Sequence, residues 1–267
     1  MEDSRQLLPH ILLDWFDLHQ RHFPWRARDG ETIDPYRVWL SEVMLQQTNT
    51  TTVKRYFGKF IARWPSIEEL AAAKLDEVLH AWQGLGYYAR ARNLHKCAKL
   101  IVAEYRGIFP ETEESLLKLP GIGPYTAAAV AAIAFGEAAT PVDGNVERVM
   151  ARLYRISKPL PGIKNQLKAK ASQLTPLSRC GDYAQALMDL GATVCTPKSP
   201  TCSLCPWIEY CKAYRTGDAA EYPKRLPRKS KPTRYTMVYW LVDSDGKVLL
   251  RRREEKGLLG GMMEFPS

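Results

Sequence analysis

The sequence predicts an all-α protein, and three observations carry that prediction. Apolar residues recur at helical spacing over most of the chain up to about residue 215. A nearly unbroken run of Ala, Val and Ile from Tyr125 to Phe135 reads as a helix buried on most sides. Alternating strand patterns are absent from the same region. The 267 residues are enough for one large domain or two ordinary ones. Hydrophobic residues make up 45% and charged residues 25%, which excludes wholesale disorder.

Taken in order, Leu7, Ile11, Leu12, Trp15 and Leu18 mark a first helix. Val38, Trp39, Val43 and Met44 mark another, and Val53, Phe57 and Phe60 a third. Leu94, Cys97, Ala98 and Ile101 continue the pattern, with Cys97 acting as a small buried hydrophobe. Leu119-Pro120-Gly121-Ile122-Gly123-Pro124-Tyr125-Thr126-Ala127 reads as helix, tight turn, helix. Gly121 and Gly123 permit positive φ and close approach of another backbone, and Pro124 suits the first turn of the second helix. The free N–H groups at that helix start form an anion site that needs no base edge. An ordinary αα-hairpin is the plainer reading of a lone GxG.

Between about 212 and 234, Lys212, Arg215, Lys224, Arg225, Arg228, Lys229, Lys231 and Arg234 face only Asp218 and Glu221. Three prolines interrupt the same stretch, which predicts a solvated basic linker. Tyr235 to Val242 and Lys247 to Arg251 are β-rich runs around the turn signal Asp243-Ser244-Asp245-Gly246. Two strands do not make a stable domain, so the sequence reads as cut inside its second domain, with 235–267 poorly ordered or dependent on the helical part.

No apolar run reaches the roughly 18 residues of a membrane span. Acidic residues break up the first fifteen positions, against a secretory signal, so a cytoplasmic protein without membrane association is expected. The formal charge of +9 favours polyanionic partners, nucleic acid first and an anionic membrane surface second.

Cys195, Cys202, Cys205 and Cys211 crowd into seventeen residues, separated by six, two and five. In a reducing compartment such a group binds metal more often than it oxidises. Four thiolates there suit one tetrahedral zinc or one cubane iron–sulfur cluster, and the spacing is not that of a zinc ribbon. A structural staple is the simpler role, since no flavin, haem or second cluster motif accompanies it.

Two carboxylates stand in contrasting settings. Glu42 has Val38, Trp39 and Leu45 as helical neighbours; a carboxyl there would be partly desolvated, its pKa raised towards that of a general acid, and a surface charge at the edge of the apolar stripe is the plainer reading. Asp143, in Pro141-Val142-Asp143-Gly144-Asn145, sits where a new helix begins, which would cap the helix and hold the carboxylate ionised. One neutral acid and one carboxylate is the arrangement that cleaves glycosidic bonds through a cationic sugar. Sequence spacing does not establish that the two meet.

Together these residues resemble the helix-hairpin-helix DNA glycosylases that carry an iron–sulfur cluster, and within them the adenine DNA glycosylases of the MutY type. The resemblance covers nearly the whole chain: Phe23-Pro24-Trp25-Arg26, Ser41 to Thr48, Gly84 to Tyr88, Leu119 to Ala127, Val142 to Val149 and the cysteine loop. It implies an iron–sulfur cluster lobe of residues 1–30 plus 137–215 and a six-helix lobe of 31–136 with the hairpin. It further implies a linker at 216–234 and the start of a β-rich, Nudix-like domain at 235–267. A monomer bound to double-stranded DNA with adenine opposite 8-oxoguanine or guanine is the implied state.

The same resemblance implies a [4Fe–4S] cluster on Cys195, Cys202, Cys205 and Cys211, and extrusion of the mispaired adenine. Glu42 would protonate adenine N7 and help activate water, and Asp143 would stabilise the oxocarbenium ion, supported by Tyr125 and Asn145. Arg21, Trp25, Arg26, Leu45 and Gln185 would line the adenine pocket. Gln47 and Tyr87 would wedge into the base stack, while Gly121 and Gly123 meet the DNA backbone. Core packing is the alternative for Tyr87 and Trp25, and an exposed helix position for Gln185 and Arg21. Asn49-Thr50-Thr51-Thr52 and the Ala27–Asp34 loop depart from the family pattern. An endonuclease III-type lyase is the nearest competitor, but its Schiff-base lysine would fall at Tyr125. A non-catalytic DNA-binding protein with a metal staple is a second.

Overall fold

Several helices of the computed structural model begin at a residue with a chemical reason to start them. The structure describes residues 3–28, 30–227, 231–233, 235–254, 257 and 259–267. Asp29 of the long loop and Arg228, Lys229 and Arg234 of the basic stretch lie outside the described residues. After α1 (Asp3–His19), Asp34 caps α2 (Pro35–Leu45) by accepting from Tyr36 N–H, with Pro35 in the first turn. Asn49 caps α3 (Thr50–Arg63) through Thr52 N–H, and Ser66 caps α4 (Ile67–Ala72) through Glu69 N–H. Then follow α5 (Leu75–Ala81), α6 (Ala89–Tyr105) and α7 (Glu113–Leu116). Pro124 opens α8 (Pro124–Phe135), and Gly136, at φ 71°, ends it in the left-handed conformation that closes helices. Next come α9 (Gly144–Leu153), α10 (Lys164–Ser172), α11 (Cys180–Thr193) and the short α12 (Lys212–Arg215).

These helices enclose two apolar cores. The first joins α2 to α8 around the fully buried Trp39, Phe57, Phe60, Leu94 and Val130. The second joins α1 and α9 to α12 around Leu12, Met150, Leu167, Leu187 and Trp207. Burying one side chain of this kind contributes roughly 2 kcal/mol, so the cores supply most of the drive for the fold. As the sequence predicts, α8 is buried on most sides: every residue from Thr126 to Ala132 is buried. It packs on α2 and on α11, and its alanines permit that close double contact. α11 gives Cys180 and Ala184 to the first core but Tyr183, Ala186 and Leu190 to the second. A Cβ at Gly191 would lie 2.5 Å from Asn145 Cβ, so only glycine lets α11 pass so near the start of α9. The two cores therefore meet along α11, which packs on α8 of the first and on α9 of the second.

Two expectations are corrected. The basic stretch is not a free tether along its first half. Ala213, Ala219 and Tyr222 are buried in the second core, and Leu160 N–H donates to Lys224 O at 2.8 Å. The apolar residues between the charges dock the segment, and the Arg155–Asp218 ion pair at 2.7 Å adds to it.

The expected hairpin is also incomplete. The Asp243–Gly246 turn forms, but only a single bridge, Val242 to Val248, joins its arms. The regular pairing is instead between β1 (Arg251–Arg252) and β2 (Met263–Glu264), antiparallel. Tyr235, Met237 and Trp240 are exposed. With no second layer to bury them, these side chains give the strands little reason to extend.

Candidate active site

Glu42 points from α2 into the junction of the two cores and is 5% exposed. Its Oε2 has no hydrogen-bond partner. Burial pushes the carboxyl up from 4.5 to about 7; the Tyr125 hydroxyl opposes this, the Asp143 charge adds to it and Arg26 opposes it. A buried carboxyl near 7 is half-protonated at neutral pH, the state a general acid needs. Helix α2 is held at its end by buried Arg90. One guanidinium nitrogen donates to Val43 O, Met44 O and Gln46 O, and the other to Leu85 O, Gly86 O and Thr48 Oγ1. Apart from the Thr48 hydroxyl, these are carbonyls of the helix terminus and of the Gly84–Tyr88 turn, satisfied by one planar cation.

Asp143 is the N-cap of α9. Its Oδ1 accepts from the N–H groups of Asn145 and Val146, both at 2.8 Å, and its Oδ2 accepts from Asn145 Nδ2 at 2.7 Å. Three donors at the positive end of a helix stabilise negative charge there. Capping and a place in the site are thus not alternatives, since Asp143 does the first while its charge reaches Glu42 and Tyr125. Arg148 fixes Asn145 in turn, donating to its Oδ1 at 2.8 Å, and also to Gly191 O and Cys195 O. Half-buried Tyr125 turns its hydroxyl inward, 3.6 Å from Met188 Sδ, and burial holds that phenol well above its ordinary pKa.

Arg21, Trp25, Arg26, Leu45 and Gln185 line one cavity of about 60 Å³ with Glu42. Asp143, Tyr125 and Asn145 flank it without lining it. Trp25 belongs both to the first core and to the cavity wall, stacked on Phe23 at 4.8 Å. Gln185 is not an exposed helix position: its Nε2 donates to Gly181 O at 3.2 Å, which leaves its carbonyl oxygen for the cavity. Sequence reasoning missed Phe23, Ser41 and Met188 among the lining residues, and missed Asp189 behind them. Asp189 is a charged residue inside the apolar run Leu187-Met188-Asp189-Leu190, and that oddity was the available signal.

Gln47 and Tyr87 line a second, wider cavity of about 760 Å³ beside Arg90, Arg92 and Gly260. Tyr87 is 64% exposed, which removes the core-packing alternative. Both residues have positive φ, 59° and 46°, a strained conformation for non-glycine residues that concentrates at functional sites. Gly121 has φ +77°, and a Cβ there would lie 2.6 Å from Asn93 Cβ. Gly123 is a correction: its φ is −96° and open space surrounds it, so the turn needs no positive φ there. It is the N-cap of α8 without a side-chain cap, which leaves the first N–H groups of that helix unshielded.

Cys195, Cys202, Cys205 and Cys211 line one cavity on the second core. Buried Arg152 donates to Cys195 Sγ at 3.2 Å and to Thr196 O, Pro197 O and Tyr222 O. Burial pushes the Cys205 thiol up to about 12 and raises Cys202 and Cys211 as well. Among the described residues, no three His, Cys, Asp or Glu side chains gather as ligands of one metal ion.

The chain is similar to known DNA repair proteins. A family model described as HhH-GPD superfamily base excision DNA repair protein matches residues 40–175. The chain is 41% identical to an adenine DNA glycosylase of Arabidopsis thaliana over 307 aligned positions, covering 100% of this chain and 48% of that one. It is 39% identical to one from Mycolicibacterium smegmatis, covering 88% of this chain and 80% of that one. It spans about half the length of the plant relative and of its mammalian counterparts (48–59%). Among solved structures, a thermostable thymine-DNA glycosylase matches with a TM-score of 0.71 and 30% identity, over 80% of this chain and 98% of that one.

Proposed function

The chain belongs to the HhH-GPD superfamily of base excision DNA repair proteins, among the adenine DNA glycosylases, and on that basis we propose that it hydrolyses the N-glycosidic bond of adenine mispaired with 8-oxoguanine or guanine in double-stranded DNA. One observation carries the chemistry: the Glu42 carboxyl, unpartnered at Oε2 and raised to about 7, opens onto a cavity walled by arginine and aromatic side chains.

In this reading the free N–H groups at the start of α8 hold a backbone phosphate. Gln47 and Tyr87, already strained and exposed, enter the base stack and favour extrusion of the adenine. The base enters between Trp25, Arg21, Arg26, Leu45 and Gln185. Glu42 gives its proton to adenine N7, which turns the base into a neutral leaving group as the bond to C1′ breaks. Positive charge then develops on the sugar, and Asp143, held in place by three donors, stabilises it. Asn145, which donates to Asp143 Oδ2, and Tyr125 support that intermediate. Glu42, now ionised, takes a proton from the attacking water. The product is an abasic site in an intact strand, because the phenol at Tyr125 forms no Schiff base.

The cysteine residues fit a cluster better than a lone zinc. All four line one cavity, the Arg152 guanidinium donates to the Cys195 sulfur, and the spacing of the four is not that of a zinc ribbon. We assign a [4Fe–4S] cluster to Cys195, Cys202, Cys205 and Cys211; when bound, it cross-links the loop to the second core. The lobes of 1–30 with 137–215 and of 31–136, a Nudix-like continuation from 235, a monomeric state and a cytoplasmic location belong to the same proposal.

The test is single-turnover release of adenine from duplexes carrying adenine opposite 8-oxoguanine or guanine. Thymine opposite guanine serves as the competing substrate, because a thymine-DNA glycosylase shares the fold. Release of thymine but not adenine overturns the proposal.

A further inference from the structure

We propose that Asp189 is a positioning residue of this site: from behind the cavity it locks Arg21 and Arg26 in place and offsets one of their two charges, so that the wall facing Glu42 offers fixed guanidinium donors with less positive charge than two unpaired arginines would bring. The catalytic consequence rests on the glycosylase reading above, whereas the placement of the arginines does not.

Asp189 is 0% exposed and lies on α11 one turn beyond Gln185. Its Oδ1 accepts from Arg21 Nε at 2.7 Å and from an Arg26 terminal nitrogen at 2.9 Å. Its Oδ2 accepts from the Arg21 backbone N–H at 3.0 Å and from the other Arg26 nitrogen at 2.7 Å. A carboxylate has about four acceptor sites, and here two arginines from one loop fill them. The other sides are fixed too. Both guanidinium groups lie against the Phe23 ring, at 4.9 and 5.1 Å from its centroid, and Arg26 also donates to Arg21 O at 2.9 Å. The loop that brings Arg21, Phe23, Trp25 and Arg26 to the cavity is thus tied to the helix that brings Gln185 and Met188, across more than 160 residues of sequence.

The charge balance follows from the same contacts. Glu42 feels Tyr125 from α8, Asp143 from the start of α9 and Arg26 from the loop. Arg21 lines the same cavity, and Lys54 of α3 lies 5.2 Å from the far Phe23 ring. Two cations beside a buried acid would favour its ionised form and remove the proton it must deliver. Asp189 is the carboxylate directly paired with both. Take it away and two partly buried guanidinium groups lose their counter-charge. They then either leave the wall or stay as free cations.

The experiment compares wild type, Asp189→Asn, Asp189→Glu and the double variant Asp189→Asn/Arg26→Gln. Single-turnover adenine release is followed against pH, and crystal structures of the folded variants are determined. Asp189→Asn should lower the plateau rate at least about tenfold and move the basic limb of the profile to lower pH by about one unit. Asp189→Glu should keep the limb near its wild-type position. The double variant has lost both the carboxylate and the cation that Glu42 feels, so its limb should return to or above that of wild type while its rate stays low. That double variant also serves if Asp189→Asn alone does not fold. A merely structural role would lower the rate in each variant without moving the limb or displacing the arginines, and that result overturns the proposal. So does a double variant whose limb lies a unit below wild type. The crystal readout stands apart from base release: a wild-type protein that releases no adenine refutes the glycosylase reading, while displaced arginines in the variant still support the clamp.

Discussion

Glu42→Gln replaces the buried carboxyl with an amide of nearly the same shape that does not titrate, so it should change how stability depends on pH. Burial, the largest influence, raises the Glu42 carboxyl from 4.5 to about 7. Between those values the native protein holds a proton that the unfolded chain has released, so the stability of the wild type falls as pH rises. The contribution is fully present below pH 4.5 and is lost as pH rises through about 7. At about 1.4 kcal/mol per pH unit, the whole interval from 4.5 to about 7 amounts to roughly 3 kcal/mol. The carboxyl is 5% exposed, so solvent screening leaves that figure largely intact. Urea unfolding of both proteins at about pH 5 and about pH 8 measures it. The stability of Glu42→Gln relative to wild type should grow by roughly 2.5 kcal/mol between the two conditions. Any fixed cost of the amide cancels, as do all groups the two proteins share. A difference that stays constant within about 0.5 kcal/mol would mean that Glu42 is already ionised at neutral pH. The general-acid reading would then lose its physical basis.

Asp143→Asn keeps a good N-cap but removes the counter-charge, so melting should change little while adenine release falls by about a hundredfold or more. A near wild-type single-turnover rate would reduce Asp143 to capping alone. Gly121→Ala puts a Cβ at φ +77° and 2.6 Å from Asn93 Cβ, a strain of about 1–2 kcal/mol. Duplex affinity, read by fluorescence anisotropy at fixed salt, should weaken about tenfold, and unchanged affinity would separate the hairpin from the DNA. Purified protein should be yellow-brown with absorbance near about 400 nm; a colourless protein with one bound zinc would refute the cluster. Borohydride should trap no covalent protein–DNA adduct, since Tyr125 offers no amine, and a stoichiometric adduct would show a lyase at work.

The sequence by itself determined the helices, because the signals that make them are local. Apolar spacing placed α1, α2, α3 and α6, and Pro124 and Asp143 marked the starts of α8 and α9. It also selected Glu42 from its apolar helical neighbours, and singled out four cysteines that turn out to line one cavity. The same local logic failed at Gly123, where a GxG pattern suggested a conformation that the turn does not use. It failed again in the docked half of the basic stretch, whose charges hid the apolar anchors Ala219 and Tyr222.

Only the tertiary structure decided what meets. The charge of Asp143 reaches Glu42 because α2 belongs to one core, α9 to the other, and α11 to both. Nothing in the sequence around Arg90, Arg152 and Asp189 names their partners, yet each is buried and fills a set of distant ones. No short stretch of sequence encodes such a partner. A buried charge is tolerated only where the fold brings enough opposite charge or carbonyl oxygen to it, and that supply is known only after the helices have packed.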